Sequence, residues 1–157
     1  MGRTPIAISN AKRSGQTLSP QGIDDEVGGY EEEFWGISSD TILPGHLLTR
    51  VVSNPRLFVR ANFATGNLQV IAGVALTSAL TGEKVHILRR GIHPGVIYDT
   101  AGVAGNRAQL SSILNSGQAE SVGPNTVPNG PHQTVGIQLE TATGAPLRAS
   151  TYVACWF

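Results

Sequence analysis

From residue 41 to the end of the chain, apolar runs of strand length recur about every eight to twelve residues, each closed by a glycine, proline or asparagine turn. This spacing constrains the fold more than any other feature. Runs of that length are too short for stable helices but suit the strands of a sheet, so the core must come from many short strands. Residues 70–91, VIAGVALTSALTGEKVHILRRG, show the pattern well. An apolar run to Leu76 gives way to small and hydroxylated residues, a Gly82-Glu83-Lys84 turn, and a second run at Val85, Ile87 and Leu88. The stretch carries no nucleophile with a base, no acid pair and no metal-ligand spacing.

The same alternation continues on both sides. Ile42 to Leu48 contains a Pro44-Gly45 turn, and Ser53-Asn54-Pro55 marks another. Arg56 to Phe63 places Leu57, Val59 and Ala61 on one side and Phe58 and Asn62 on the other. Leu68 to Leu76 and Val85 to Arg90 are further strands, and Gly91-Ile92-His93-Pro94-Gly95 is expected to turn the chain into Val96-Ile97-Tyr98. Thr134 to Leu139 and Leu147 to Phe157 close the series after a loop over 123–131. One short helix is expected near 106–115: Leu110, Ile113 and Leu114 fall at i, i+3 and i+4, Asn106 is an N-cap, and Gly117 follows the end. There is also an internal echo. Gly73 to Ala79 and Gly136 to Ala142 share a Gly-apolar-x-Leu-x-x-Ala pattern, and Thr81-Gly82 aligns with Thr143-Gly144, which suggests two related hairpins in one β-structure.

A chain of 157 residues is expected to form one domain with a sizeable core. Charged residues are 14% of it, against about 25% for an average soluble domain, so much of the surface is expected to serve contacts rather than water. The single cysteine, Cys155, excludes an internal disulfide and, between Val153, Ala154 and Trp156, reads as a small buried hydrophobe. No apolar run approaches the ~18 residues of a membrane span, the N-terminus lacks a signal-peptide core, and Ile6 stands where a myristoylation signal needs Ser or Thr. The expectation is a protein made in a cytoplasm, soluble until it meets its partner, with no membrane association.

The net charge of zero conceals a division. Residues 1–40 hold seven acids against three bases, net −4, and residues 41–157 hold four acids against eight bases, net +4. The organisation is accordingly an extended acidic N-terminal arm over 1–40 and a β-domain over 41–157. The arm is either a solvated tail or a segment lying on a basic surface, its own body's or a neighbour's. Pro5-Ile6-Ala7-Ile8 alternates like a strand, and Phe34-Trp35 is of the kind that packs.

Catalytic and metal patterns are absent from the sequence. His46, His86, His93 and His132 form no HxH or HExxH pair, although His86 and His93 could meet across a turn. Glu31, Glu32 and Glu33 are consecutive and cannot converge as an acid/base pair. Gly102-Val103-Ala104-Gly105 is not a dinucleotide fingerprint. Arg50, Arg56 and Arg60 could meet phosphate, but without interleaved aromatics protein carboxylates suit them at least as well. A hydrolase would need Ser111 or Ser112 aligned with one of the histidines. No catalytic residue, metal, cofactor or nucleic-acid partner is expected.

Pro44-Gly45-His46-Leu47-Leu48, the stretch Gly73 to Val85, and Val135-Gly136-Ile137-Gln138-Leu139 together resemble motifs of the head decoration, or cement, proteins of tailed bacteriophages, over about residues 42 to 145. The resemblance implies a mainly β, "tulip"-like sandwich or barrel, commonly a homotrimer, with no enzymatic activity. Such a protein sits on the exterior of the virion and clamps neighbouring major capsid protein subunits. Within that picture Ile6, Ile8, Leu18, Phe34 and Trp35 are expected to anchor the arm, and Arg89 and Arg90 to lie near an edge for a partner. The competing expectation is a phage tail or fibre component, or another β-rich virion protein, that binds a host surface or glycan.

Overall fold

The computed structural model describes residues 32–62, 70–112, 117–124 and 134–155; Ile6, Ile8 and Leu18 lie outside them. Among the described residues the chain forms nine strands and no helix: β1 (Glu32–Ser38), β2 (Leu47–Val51), β3 (Asn54–Arg60), β4 (Gly73–Ala75), β5 (Lys84–Tyr98), β6 (Arg107–Leu110), β7 (Ala119–Val122), β8 (Thr134–Gln138) and β9 (Leu147–Ala154). The mainly β, sandwich- or barrel-like class expected from the spacing is the observed one. β1 comes from the acidic segment and is a full member of the sheet, antiparallel to β5 from Glu32 to Ile37.

The strands close into two rings that share β5. In the first, β1 runs parallel to β3, while β3–β2, β2–β4, β4–β5 and β5–β1 are antiparallel. In the second, β5 runs parallel to β7, while β7–β6, β6–β8, β8–β9 and β9–β5 are antiparallel. The order of strand senses is identical. The first half of β5 closes the first ring, and its second half plays in the second ring the part that β1 plays in the first.

Individual contacts repeat as well. Gly45 N donates to Ala75 O and Gly105 N to Gln138 O, both at 2.8 Å. Ala75 N returns to His46 O (2.9 Å) as Gln138 N returns to Asn106 O (2.8 Å). Gly45 and Gly105 have φ of +93° and +92°, a left-handed conformation that glycine adopts without steric cost. The hairpin echo seen in sequence is thus one part of a duplication spanning the described chain.

The wall between the rings is buried on both faces. Leu47, Val74 and Leu88 belong to one core cluster with Val96, Tyr98, Leu110 and Val153. Their neighbours Leu48, Ala75 and Ile87 belong to the other, with Ile42, Phe58 and Val85. Successive side chains on a strand point to opposite faces, so a strand between two cores needs an apolar residue at every position. That requirement accounts for the unbroken apolar runs at Leu47-Leu48 and Ala72-Gly73-Val74-Ala75. Cys155 is buried against the first cluster, and burial pushes its thiol up to about 12.

Two local expectations are corrected. The helix expected near 106–115 is not formed over its described part: Arg107–Leu110 is β6, paired on one side with β7 and on the other with β8. Pairing on both sides outweighs a helical spacing of three apolar residues. Asn106 caps nothing; its side-chain amide donates to Ser121 Oγ (2.9 Å). Gly91 to Gly95 is not a turn either. β5 runs through it, and its register against β9 shifts between His93 and Val96. Pro94, which has no N–H for a ladder, stands inside that irregularity, where no ladder bond is required of it.

The rings are fastened where Pro44 to Leu47 lodges between Gly95–Ile97 and Gly117. Ile97 N donates to Gly45 O (3.0 Å), Leu47 N to Gly117 O (2.8 Å), and Arg148 Nη1 to both Pro44 O (2.7 Å) and Gly95 O (2.9 Å). Two histidines complete the junction as neutral rings. His46 Nδ1 accepts Leu43 N–H (3.0 Å); His93 Nε2 donates to Ala75 O (2.8 Å) while its Nδ1 accepts Gly95 N–H (3.0 Å). Burial, reinforced by Arg60 and Arg148, lowers His46 to about 4, and burial likewise lowers His93.

Because β5 belongs to both rings, they should unfold together. Ile87→Ala and Leu88→Ala, which open cavities in different cores, should each lower one shared transition by about 2–5 kcal/mol, read by denaturant titration with equal calorimetric and van't Hoff enthalpies. Two resolved transitions would contradict this.

His46 sets a pH dependence. Above its unfolded-state value of 6.5 both states are neutral and the full stability is present. As pH falls from 6.5 towards about 4 the unfolded chain takes up the proton first and stability declines. His46→Gln, whose amide oxygen can accept Leu43 N–H, should flatten that decline in melts between pH 7 and 4. A slope unchanged by the substitution would assign the decline to other groups.

Candidate functional site

β1 and β3 pair only at Ile37↔Leu57 and Ser38↔Phe58. Towards Glu32 the two strands part, and between them opens a groove of about 450 Å³ lined by Phe34, Trp35 and Ile37 of β1, Arg50 at the end of β2, Arg56 and Phe58 of β3, and Lys84 of β5. Phe34 and Phe58 meet at its floor with ring centroids 5.6 Å apart, and the Arg50 guanidinium lies 4.8 Å from the Phe58 centroid and 5.6 Å from that of Phe34. Gly36 is needed there, since a Cβ would run into the Phe58 ring. At the rim Trp35, 60% exposed, stacks on His86 at 4.4 Å, and His86 Nε2 lies 2.8 Å from Glu33 Oε1.

The charges divide into two groups. Arg60 forms a two-point contact with Asp40 (2.8 and 3.1 Å), which holds that carboxyl below its usual range, and Arg89 reaches Glu32 at 3.8 Å. Arg50, Arg56 and Lys84, all on the groove, have no carboxylate partner among the described residues; Arg50 gives Nη1 to Pro55 O (2.7 Å). The three arginines grouped in the sequence therefore separate: Arg60 closes an ion pair, while Arg50 and Arg56 line the groove.

A second surface lies on the outside of the other ring. Ile92 on β5 and Ile137 on β8 both register against Tyr152 on β9, so the three share one face in a single row. Ile92 is 49% and Ile137 42% exposed, with Leu139 beside them at 42%. Large apolar side chains aligned on an outer sheet face make this row a candidate contact surface.

Of the contact residues named from sequence, Phe34 and Trp35 lie on the groove, and Arg89 is engaged with its own chain, giving Nε to Cys155 O (3.3 Å) as well as facing Glu32. Arg90 stands opposite Glu32 and Ala154 in the ladders. Ile92, Ile137, Tyr152 and Lys84 were missed. The first three lie on different strands and come together only through register, which the hairpin echo at 136–142 could partly have exposed. The possible histidine pair does not form: His86 and His93 sit on one extended strand, roughly 20 Å apart along it. Ser111 Oγ donates to Asp99 and Ser112 Oγ to Glu120 Oε1 (2.8 Å). Burial raises Asp99, and nearby Glu120 adds to that.

No protein-family model and no curated protein sequence matches the chain. Among solved structures, the head fiber gp8.5 N base of bacteriophage phi29 is similar over 80% of this chain and 95% of its own, at 13% identity and a TM-score of 0.53. A chain of the capsid of Myoviridae phage XM1 is similar over 92% of this chain and 96% of its own, at 11% identity and a TM-score of 0.52. At these identities the likeness is one of fold, and both folds come from phage head structures, as the resemblance read in the sequence implied.

Proposed function

We propose that this chain is a structural protein of a phage virion that decorates the outside of the head, binding between major capsid protein subunits as a homotrimer and stabilising the shell without any enzymatic activity. The observation that carries this reading is the fold. Two proteins of phage heads share it over nearly their whole length, and their descriptions place one in a head fibre and the other in a capsid. The surfaces suit the role. A genome-filled shell pulls its subunits apart, and a bridging protein resists by adding apolar contact area that must be broken first. The row Ile92–Tyr152–Ile137 supplies such area on a rigid sheet, and the groove beside Trp35 supplies a second, cationic contact. The head-fibre likeness favours a second reading, in which the chain forms the base that seats a fibre on the head.

Purified chain should bind mature, expanded heads of its own virus that lack it, and raise their resistance to heat. Ile92→Asp with Ile137→Asp should keep the β circular dichroism, because both side chains are exposed, yet lower head occupancy in cryo-electron microscopy about tenfold or more. Full occupancy by the double variant would remove the apolar row from the interface. Failure of the unaltered chain to bind any head would remove the function itself.

A further inference from the structure

We infer that the groove of the first ring receives the acidic segment Asp24-Asp25-Glu26 of a second copy of this chain, laid as an extended strand along the open edge of β1. The molecule already shows how such a gap is filled. In the duplication Ile37 corresponds to Ile97, since Ile37 faces Lys84 as Ile97 faces Arg148. Phe58 likewise corresponds to Ala119, because Ser39 N donates to Phe58 O as Asp99 N donates to Ala119 O. The equivalent gap in the second ring therefore lies beside Ile97, Gly117 and Arg148, and there Pro44 to Leu47 is seated. It accepts Ile97 N–H and the Arg148 guanidinium and donates to Gly117 O. In the first ring Ile37, Arg56 and Lys84 hold the corresponding places, and among the described residues no segment lies between them.

The backbone there is prepared for a strand. Ser38 exchanges hydrogen bonds with the β5 side, through Glu83 O and Gly82 N, while Ser39 N turns to Phe58 O. By alternation, the N–H and C=O of Trp35 face the β3 side, where no described strand pairs with β1 beyond Ile37. Edges of this kind are completed by added strands.

Charge selects the occupant. Arg50, Arg56 and Lys84 line the groove without a carboxylate partner among the described residues, and the chain's densest remaining run of acids is Asp24-Asp25-Glu26. The exposed loop of the second ring that corresponds to Pro44–Leu47 would instead bring Arg107 into a cationic site. Charge also selects a second copy over the same chain. A tight turn at Gly28-Gly29 would set Glu26, Asp25 and Asp24 directly opposite Glu31, Glu32 and Glu33, and like charges opposed across strands destabilise a pairing. This inference deepens the oligomer part of the proposed function and is independent of the capsid part.

Separately tagged full-length chains carrying Asp25→Cys and Arg56→Cys, mixed and treated with a short thiol–thiol cross-linker, should yield heterodimer well above a mixture of Asp25→Cys with Glu140→Cys; native Cys155 is buried and unreactive. Arg56→Glu with Lys84→Glu should weaken self-association about tenfold, increasingly so at low salt, and Asp24→Lys with Asp25→Lys should restore it. Four results would overturn the inference: cross-linking only within one chain when both cysteines share it, preferential cross-linking of Arg56→Cys to Val103→Cys, charge reversal without effect, or reversal without rescue in variants that retain the β spectrum. A chain that still occupies heads after any of these keeps its proposed function and loses only this mode of association.

Discussion

Everything described depends on one strand that two rings share. β5 runs fifteen residues, closes one ring with its first half and opens the second with its last, and is lined by core residues on both faces. Where it lies between the cores its backbone is cut off from water, so its hydrogen bonds there must be made to protein on both edges. β1, β4, β7 and β9 supply those edges, and their order follows from where along β5 each one docks. Moving any of them by one residue would turn its core side chains to the opposite face, which is why register is held so tightly here.

The duplication explains why the two halves differ in purpose although they agree in plan. The second ring has its gap filled from within the molecule by Pro44 to Leu47 and is finished as a packed body. The first ring has the same gap lined by Trp35, Arg50, Arg56 and Lys84 instead of by the chain's own backbone. One solution consumes the edge and the other leaves it for something else to complete. Gly45 marks the difference sharply: a side chain there would strike Gly95 O, so the internal seal tolerates no bulk, while the open groove has an exposed indole at its rim.

The acidic segment and the basic body are likewise two sides of one arrangement. Where the acids of that segment are described, they lie on the body's own basic side chains: Glu32 near Arg89, Glu33 against His86, Asp40 on Arg60. These partly exposed pairs contribute little individually to stability, of order 0–1 kcal/mol each. They leave Arg50, Arg56 and Lys84 on the groove without a carboxylate partner among the described residues. Electrostatics of this sort steers what meets what, while the apolar row on the other ring supplies area.

Much of this was legible in the residues alone. The turn spacing established a β-protein of many short strands, the run VIAGVALTSALTGEKVHILRRG was correctly a strand–turn–strand element, and the echo at 136–142 pointed to related hairpins. What misled was local. Leu110 and its neighbours have helical spacing, and Gly91-Ile92-His93-Pro94-Gly95 has turn composition, yet the first forms β6 and the second the middle of β5. Gly105-Asn106-Arg107-Ala108 repeats Gly45-His46-Leu47-Leu48 in place but hardly in side chains, so only the backbone contacts reveal them as equivalents. Sequence by itself determined the material, because the period of apolar residues is a local property each strand carries with it. Tertiary structure alone decided which strands close on which, that Ile92, Tyr152 and Ile137 stand in one row, and that one gap is sealed and its twin open. Those outcomes depend on register between residues far apart in the chain, where hydrogen bonds from two sides outweigh the preferences of any short segment.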